Sequence, residues 1–393
     1  MVSLISAVTT SRWRTDMVEI KKVKTKKDIK EFIEFPLRLY KACPQFVPPL
    51  YGDEKKLLIN GGTGEDFFSV FFLATEGGKT VGRIQGIIQK KYNETHSSAQ
   101  VRFNRFDCID DSSVAAALIK AVEDWGVSHS MTELCGPLGY SDLDREGLLV
   151  EGFDESSTFE EQYNFEYYGK LLEETGLRKE VDWLEYELKM PEKRNPMLSR
   201  VAERSLELNK LHIASTNMSK RKYIEKYRDG FFDCLDECYS HLYGTAPIAK
   251  DAQDELIKQF MLILNKKYLI FICDEDENVV GFGLCFPSIG DAFKKSGGKL
   301  TIPTLIRLMK AVRKPQCIDL GLVAIRPEYQ NSGLNAIIIN TLLNVLEEGH
   351  VKACETNLNL ETNVAVQAQW KYFTARQHKR RRSYTKRIGE VLC

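Results

Sequence analysis

No apolar run in this 393-residue chain approaches the ~20 residues that a bilayer-crossing helix needs, so no membrane span is expected. Excess charge of either sign is also missing. Lys plus Arg and Asp plus Glu number 55 each, so no global field draws the chain to nucleic acid or to a membrane, and any such attraction must be local. The ten cysteines include no CxxC pair, and several sit in apolar strand-like runs such as YLIFIC and VVGFGLCF. That is the usage of a reducing compartment, with thiols serving as small core residues. Cys234 and Cys238 stand four apart, but nothing nearby completes four ligands, and no metal is expected. The opening MVSLISAVTTSRWR lacks a basic leader before a long apolar run, so no secretion signal is read and the cytoplasm is the simplest location. The six histidines share no motif, and none is assigned catalysis.

What is present is enough apolar material, 43% of residues, for two domains of ordinary size. Residues 18–23 alternate like a strand, and 26–40 carry apolar residues at helical spacing. After the proline-rich CPQFVPPL, residues 67–74 and 80–89 read as a hairpin around EGGK, 101–108 as a third strand, and 113–126 as an amphipathic helix capped at Asp111 or Ser112. The segment GPLGYSDLDREGLLVEGFDE reads as an ordered loop; YYGKLLEETGL is a helix and DWLEYELKM a strand that closes the first domain. The chain then repeats that order. Helices at 223–242 and 252–264, strands at 268–273 and 279–286, a mixed insertion at 287–314, and strand, helix, strand, helix, strand from Ile318 follow. The expectation is an α/β fold with a mixed α+β sheet used twice: a domain at 17–190, a linker at 191–209 and a domain at 210–390.

The most informative stretch is IDLGLVAIRPEYQNSGLNAIIINTLLNVLEEG, where an apolar strand runs to Ile325, a polar loop follows and a helix starts near Gly333. Inward-pointing N–H groups at such a helix start have no internal partner, and the helix dipole favours negative charge, so a pyrophosphate fits there. Ile325, Pro327, Gln330 and Gly333 resemble the phosphate-binding motif of the GNAT acetyltransferase superfamily, and Asn335 stands where that family has Gly or Ala. The resemblance implies an acyl-CoA N-acyltransferase fold, with acetyl-CoA or a longer acyl-CoA as co-substrate. Its phosphate loop is Gln330, Asn331, Ser332, Gly333, Leu334 and Asn335, and the strand at Val323, Ala324 and Ile325 lies beside it. The next elements, ETNLNLETNVAVQAQWKYF, resemble the family's following strand and helix. Asn363 matches its asparagine, and Trp370 falls where the family often has a proton-donating tyrosine. Indole N–H cannot play that part, so Tyr372 is the substitute considered.

In the first half, YYGKLLEETGLRKEVDWLEYEL resembles the same family's closing helix and strand, but its loop position reads IDDSS, with no glycine and two aspartates that would repel a pyrophosphate. The first domain is therefore expected to be a degenerate copy that roofs the acceptor site. Candidate general bases for an amine acceptor are Glu355 and Glu361, with Asp319 a weaker one. Asn357 and Asn359 should share the face of Glu355. Tyr140, Asp142 and Asp144 are candidates for lining a cleft between the domains.

The run HKRRRSYTKR gathers Lys379, Arg380, Arg381, Arg382, Lys386 and Arg387; it is either a solvated face or an anion-binding patch. In the second case it would meet the CoA ribose phosphate, an acyl carrier protein, or lipid head groups through peripheral membrane contact over Lys379 to Arg387. No nucleic-acid motif is present. The function expected is acyl transfer from acyl-CoA to a small-molecule or lipid amine, a sphingoid-base-like amine included. The rival is a non-catalytic CoA-sensing or interaction protein.

Overall fold

The computed structural model describes residues 18–245, 248 and 250–389. In the first half β1 (Glu19–Lys22), α1 (Lys26–Leu39) and α2 (Tyr51–Ile59) precede the hairpin of β2 (Phe67–Glu76) and β3 (Lys79–Gln89). Then come α3 (Lys90–His96), β4 (Gln100–Cys108), α4 (Ser112–Ser128), β5 (Glu133–Gly136), β6 (Leu148–Glu151), α5 (Tyr167–Glu174) and β7 (Arg178–Lys189). The second half begins with α6 (Pro196–Asn209), β8 (His212–Ile213), α7 (Lys220–Tyr239) and α8 (Lys250–Phe260). It continues through β9 (Leu269–Cys273), β10 (Val279–Pro287), α9 (Gly290–Lys294), α10 (Ile302–Arg313) and β11 (Cys317–Ile325). It ends with α11 (Asn335–Glu347), β12 (Ala353–Thr356), β13 (Asn359–Leu360), α12 (Val364–Gln367) and β14 (Thr374–Arg387).

The repeated order is there, with local differences. The expected linker is helical from Pro196, because Asn195 caps it and the proline suits a first helical turn. The expected helix at 362–373 is only a short α12 followed by a 3-10 turn, and the last strand starts at Thr374 instead of Arg381. The glycine-rich loop contains β6.

The strands form one 14-stranded sheet with the main order β1-β2-β3-β4-β5-β14-β7-β12-β11-β10-β9-β8, while β13 adds to β7 and β6 to β14. This corrects the reading of β7 as a strand that closes the first domain on itself. It pairs instead with β14 and with β12 of the second half, while β14 pairs back to β5 and β6 of the first. The two halves therefore exchange their last strands. Charge explains the choice of neighbour: β7 is acidic and β14 basic, and their register sets Arg376 opposite Glu187, Lys379 opposite Glu185 and Arg382 opposite Asp182. Apolar cores lie under each half, one around β3, β4 and α4, one between the second-half sheet and α6 with α11, and one under α7.

Candidate functional site

Strand β11 runs parallel to β12 only from Cys317 opposite Ala353 to Leu320 opposite Thr356; beyond that β13 joins β7, and residues 321–325 of β11, still paired with β10 on one side, have no strand on the other. A cleft of about 620 Å³ opens there, lined by Val323, Ile325, Gln330, Asn331, Gly333, Leu334, Asn335, Asn363 and Trp370. At its end the loop into α11 turns through two left-handed residues, Asn331 at φ 65° and Gly333 at φ 87°. Among the described residues the N–H groups of Asn331, Gly333, Leu334 and Asn335 have no backbone partner. Four orphan donors at the start of a 13-residue helix make an anion cradle, and the donor set fits a pyrophosphate. Ser332 does not line the cleft; its hydroxyl bonds to Tyr329 O. Its carbonyl accepts from Ser205 of α6 at 2.7 Å, so the former linker braces the loop from outside. Asn363 caps α12 through Val366 N.

The cleft shares Tyr239, Leu284, Leu322, Asn357 and Leu358 with an adjoining chamber of about 190 Å³ walled by Phe231, Phe232, Leu256, Phe271 and Phe286. Five carboxylates reach this apolar wall: Asp142, Asp144, Glu146, Glu160 and Glu161. Asp144 is spent on the turn, accepting from Tyr140 N and Ser141 N at 2.8 and 3.1 Å. The others are poorly compensated. Burial lifts Asp142 to about 6, and burial with Asp142 and Glu161 nearby pushes Glu146 well above the carboxylate range. Burial likewise raises Glu160 and Glu161. Two polar atoms of residues that line the chamber have no hydrogen-bond partner, Asn357 Oδ1 and Thr245 Oγ1, while Glu161 Oε2 has only the Arg381 guanidinium at 3.3 Å. Asn357 Nδ2 donates to Glu160 Oε2 at 3.3 Å, joining the cleft to the chamber. Tyr239 Oη takes the place of a missing strand neighbour: it accepts from Val323 N at 3.3 Å and donates to Val323 O at 3.1 Å.

The catalytic candidates read from the sequence are not brought to this junction. Glu355 has the expected facing but is covered by β14, bonded to the Lys379 ammonium and 3.4 Å from His378 Nε2. Glu361 accepts from Asp182 N at 3.2 Å and from Lys179 at 2.9 Å, outside the cleft. Tyr372 packs beside the core under α11, with the Lys371 ammonium 5.3 Å from its ring centroid. Asp319 is buried with Oδ1 unpaired, and burial beside Glu355 and Glu160 raises it strongly, but it lines neither cavity. Asn359 bonds to Leu184 O at 3.1 Å and is structural. Glu160 and Tyr239 were missed because each comes from an element without a motif.

The basic run is corrected as well. It is neither a solvated face nor a surface patch, because β14 lies in mid-sheet with Lys379 and Arg381 fully buried. Lys379 meets Glu185 at 2.8 Å, Arg381 meets Glu185 at 2.6 Å and Glu161 at 3.3 Å, and Arg380 and Arg382 meet Asp182 at 3.0 and 2.8 Å. Contact with head groups or a carrier protein through Lys379 to Arg387 has no exposed cluster to rest on.

In the first half the equivalent of the anion cradle is filled by its own chain. Asp111 accepts from Ser113 N at 2.7 Å and Val114 N at 3.3 Å at the start of α4. β4 and β5 pair only over Gln100 to Arg102, and the gap beyond is closed by residues 137–147: Leu138 N donates to Phe103 O and Arg102 to Gly139 O. That plug carries Asp142, Asp144 and Glu146 to the other half's chamber.

Two cavities thus meet across splayed parallel strands, with an anion cradle at one end. Residues 228–376 match the family described as Acetyltransferase (GNAT) family. The fold of the whole chain is that of two GNAT-like domains in tandem. It is 24% identical over 371 residues to Protein YghO of Escherichia coli (strain K12), covering 92% of this chain and 94% of that one. It is 26% identical over 287 residues to a bacterial ceramide synthase of Caulobacter vibrioides (strain NA1000 / CB15N), covering 71% and 72%. A solved tandem GNAT protein from the clavulanic acid biosynthesis pathway superposes with a TM-score of 0.53 at 12% identity, over 95% of this chain and 99% of that one.

Proposed function

We propose that the chain moves an acyl group from a CoA thioester to the amine of a long-chain lipid amine. The observation that carries this reading is the continuity of the anion-cradled cleft with an apolar chamber that holds unpaired oxygen acceptors. An apolar wall suits an alkyl chain, and orphan acceptors beside buried carboxylates suit an ammonium and its neighbouring hydroxyls. The relative named as a ceramide synthase supports the same acceptor class. The opening of the cleft into the chamber favours transfer over sensing, which needs no acceptor path.

The thioester supplies an electrophilic carbonyl and a thiolate that leaves readily. Glu160, on the chamber side of Asn357, takes the ammonium proton and frees the nitrogen to attack; the C–N bond forms as the C–S bond breaks. Val323 N–H is placed to face the carbonyl oxygen once Tyr239 Oη releases it. The Tyr239 hydroxyl, raised above the ordinary tyrosine range by burial, stays protonated and gives its proton to the sulfur, the part Trp370 cannot play; the second proton that the nitrogen loses as the amide forms restores the hydroxyl.

The test is thiol release from palmitoyl-CoA with a sphingoid base as acceptor, alongside calorimetric acetyl-CoA binding. Gly333→Glu sets a Cβ at a left-handed φ, 3.3 Å from Val201 Cγ1 on α6, so the loop that holds the orphan donors must shift, and it adds a negative charge beside them. It should weaken acetyl-CoA binding at least ~100-fold; undiminished binding would move the donor elsewhere. Tyr239→Phe should lower kcat about 100-fold with little change in the KM for donor. An unaltered kcat would remove Tyr239 from the chemistry.

A further inference from the structure

Between Ala292 and Ile318 the sequence has seven Lys and Arg and no Asp or Glu, in a chain whose charges balance overall. This stretch contains α10, which presents two opposite apolar faces. Its inward face, Thr304 and Leu308 with half-buried Ala311 and Val312, packs on the core beneath α7. Its outward face carries Ile302, Leu305, Ile306 and Met309 at spacings of three and four, exposed by 76%, 39%, 66% and 37%, and Leu300 just before them is 56% exposed. Single exposed apolar residues are ordinary, but a continuous ridge along one helix is not. Around it Lys295, Lys310, Arg313 and Lys314 are exposed, and none is ion-paired among the described residues.

The ridge lies next to a cavity: Leu300 before it and Leu308 on the inward face of the same helix line a groove of about 590 Å³ between the two halves, which shares Glu160 and Phe260 with the chamber. No helix among the described residues is long and apolar enough to cross a membrane, so a lipid surface would be met from one side only.

We propose that α10 and the residues just before it dock the protein on an anionic lipid bilayer, with the ridge among the acyl chains and the unpaired cations at the phosphates. This is the arrangement of an interfacial amphipathic helix, whose binding combines buried apolar area with attraction to anionic head groups. The local absence of acids in a neutral chain is what selects a negative surface as occupant. The groove mouth then lies at the bilayer, where a lipid substrate can enter without crossing water.

The experiment is co-sedimentation of the full chain with vesicles of equimolar phosphatidylglycerol and phosphatidylcholine, and with phosphatidylcholine alone. Binding to the anionic vesicles, weakened by salt, is expected. Ile302→Ser with Ile306→Ser, and separately Lys310→Glu with Arg313→Glu, should each reduce partitioning at least ~10-fold while acetyl-CoA binding stays as in the wild type. The proposal falls if the wild type does not sediment with anionic vesicles at low salt, or if it binds neutral vesicles equally well. It also falls if the isoleucine pair has no effect on partitioning, or if that pair converts a dimer to a monomer, which would assign the ridge to a second copy. Partitioning is read without turnover, so its failure is distinguishable from failure of the acyl-transfer reading.

Discussion

Arg381→Met should destabilise the protein by about 3–5 kcal/mol, because it leaves buried carboxylates facing each other with one cation fewer. Arg381 is fully buried and binds Glu185 Oε1 at 2.6 Å and Gln162 O at 2.5 Å, with Glu161 Oε2 at 3.3 Å. Burial alone would raise Glu185, but Arg381 and Lys379 overcome it and hold the carboxylate down at about 2. A depressed folded-state pKa adds stability that is complete above the ordinary carboxylate range and is lost as pH falls toward that value. The loss in the variant should therefore be largest near neutral pH and shrink in acid. Urea denaturation at pH 7 and pH 4 checks this. Adding Glu185→Gln to Arg381→Met should recover part of the loss at pH 7, because the charge left unpaired is then gone. A single variant with wild-type stability would mean that the exchanged strands are held by packing alone.

Glu160→Gln should lower kcat by about 10²- to 10³-fold, the usual range for loss of a positioned general base, with donor binding intact. Glutamine keeps the size and an acceptor for Asn357, so the shape of the junction is preserved. Burial raises the pKa of Glu160, so in the wild type kcat/KM should climb with pH as this carboxyl loses its proton. That limb should vanish in the variant. A variant within a few-fold of wild type, with the limb retained, would pass the role to Glu146 or Asp142 on the opposite wall.

The sequence by itself determined the element order, its repetition, and the polar loop that leads from β11 into α11. Those signals are local: strand alternation and helical spacing over ten or so residues, a proline and a glycine at fixed offsets, and the IDDSS stretch whose Asp111 caps its own helix. The tertiary structure alone decided which strand lies beside which. Glu355 had the right facing and lost its candidacy because β14 arrives from the far end of the chain and sets Lys379 against it. The same exchange turned Lys379, Arg380, Arg381 and Arg382 from an expected surface patch into the counter-charge of the buried Asp182, Glu185 and Glu161. Glu160 and Tyr239 meet across cavities to which both halves contribute, from a loop and a helix whose local patterns carry no sign of the partner. Charge pairing and burial across such separations depend on distance in space, and spacing along the chain does not encode it.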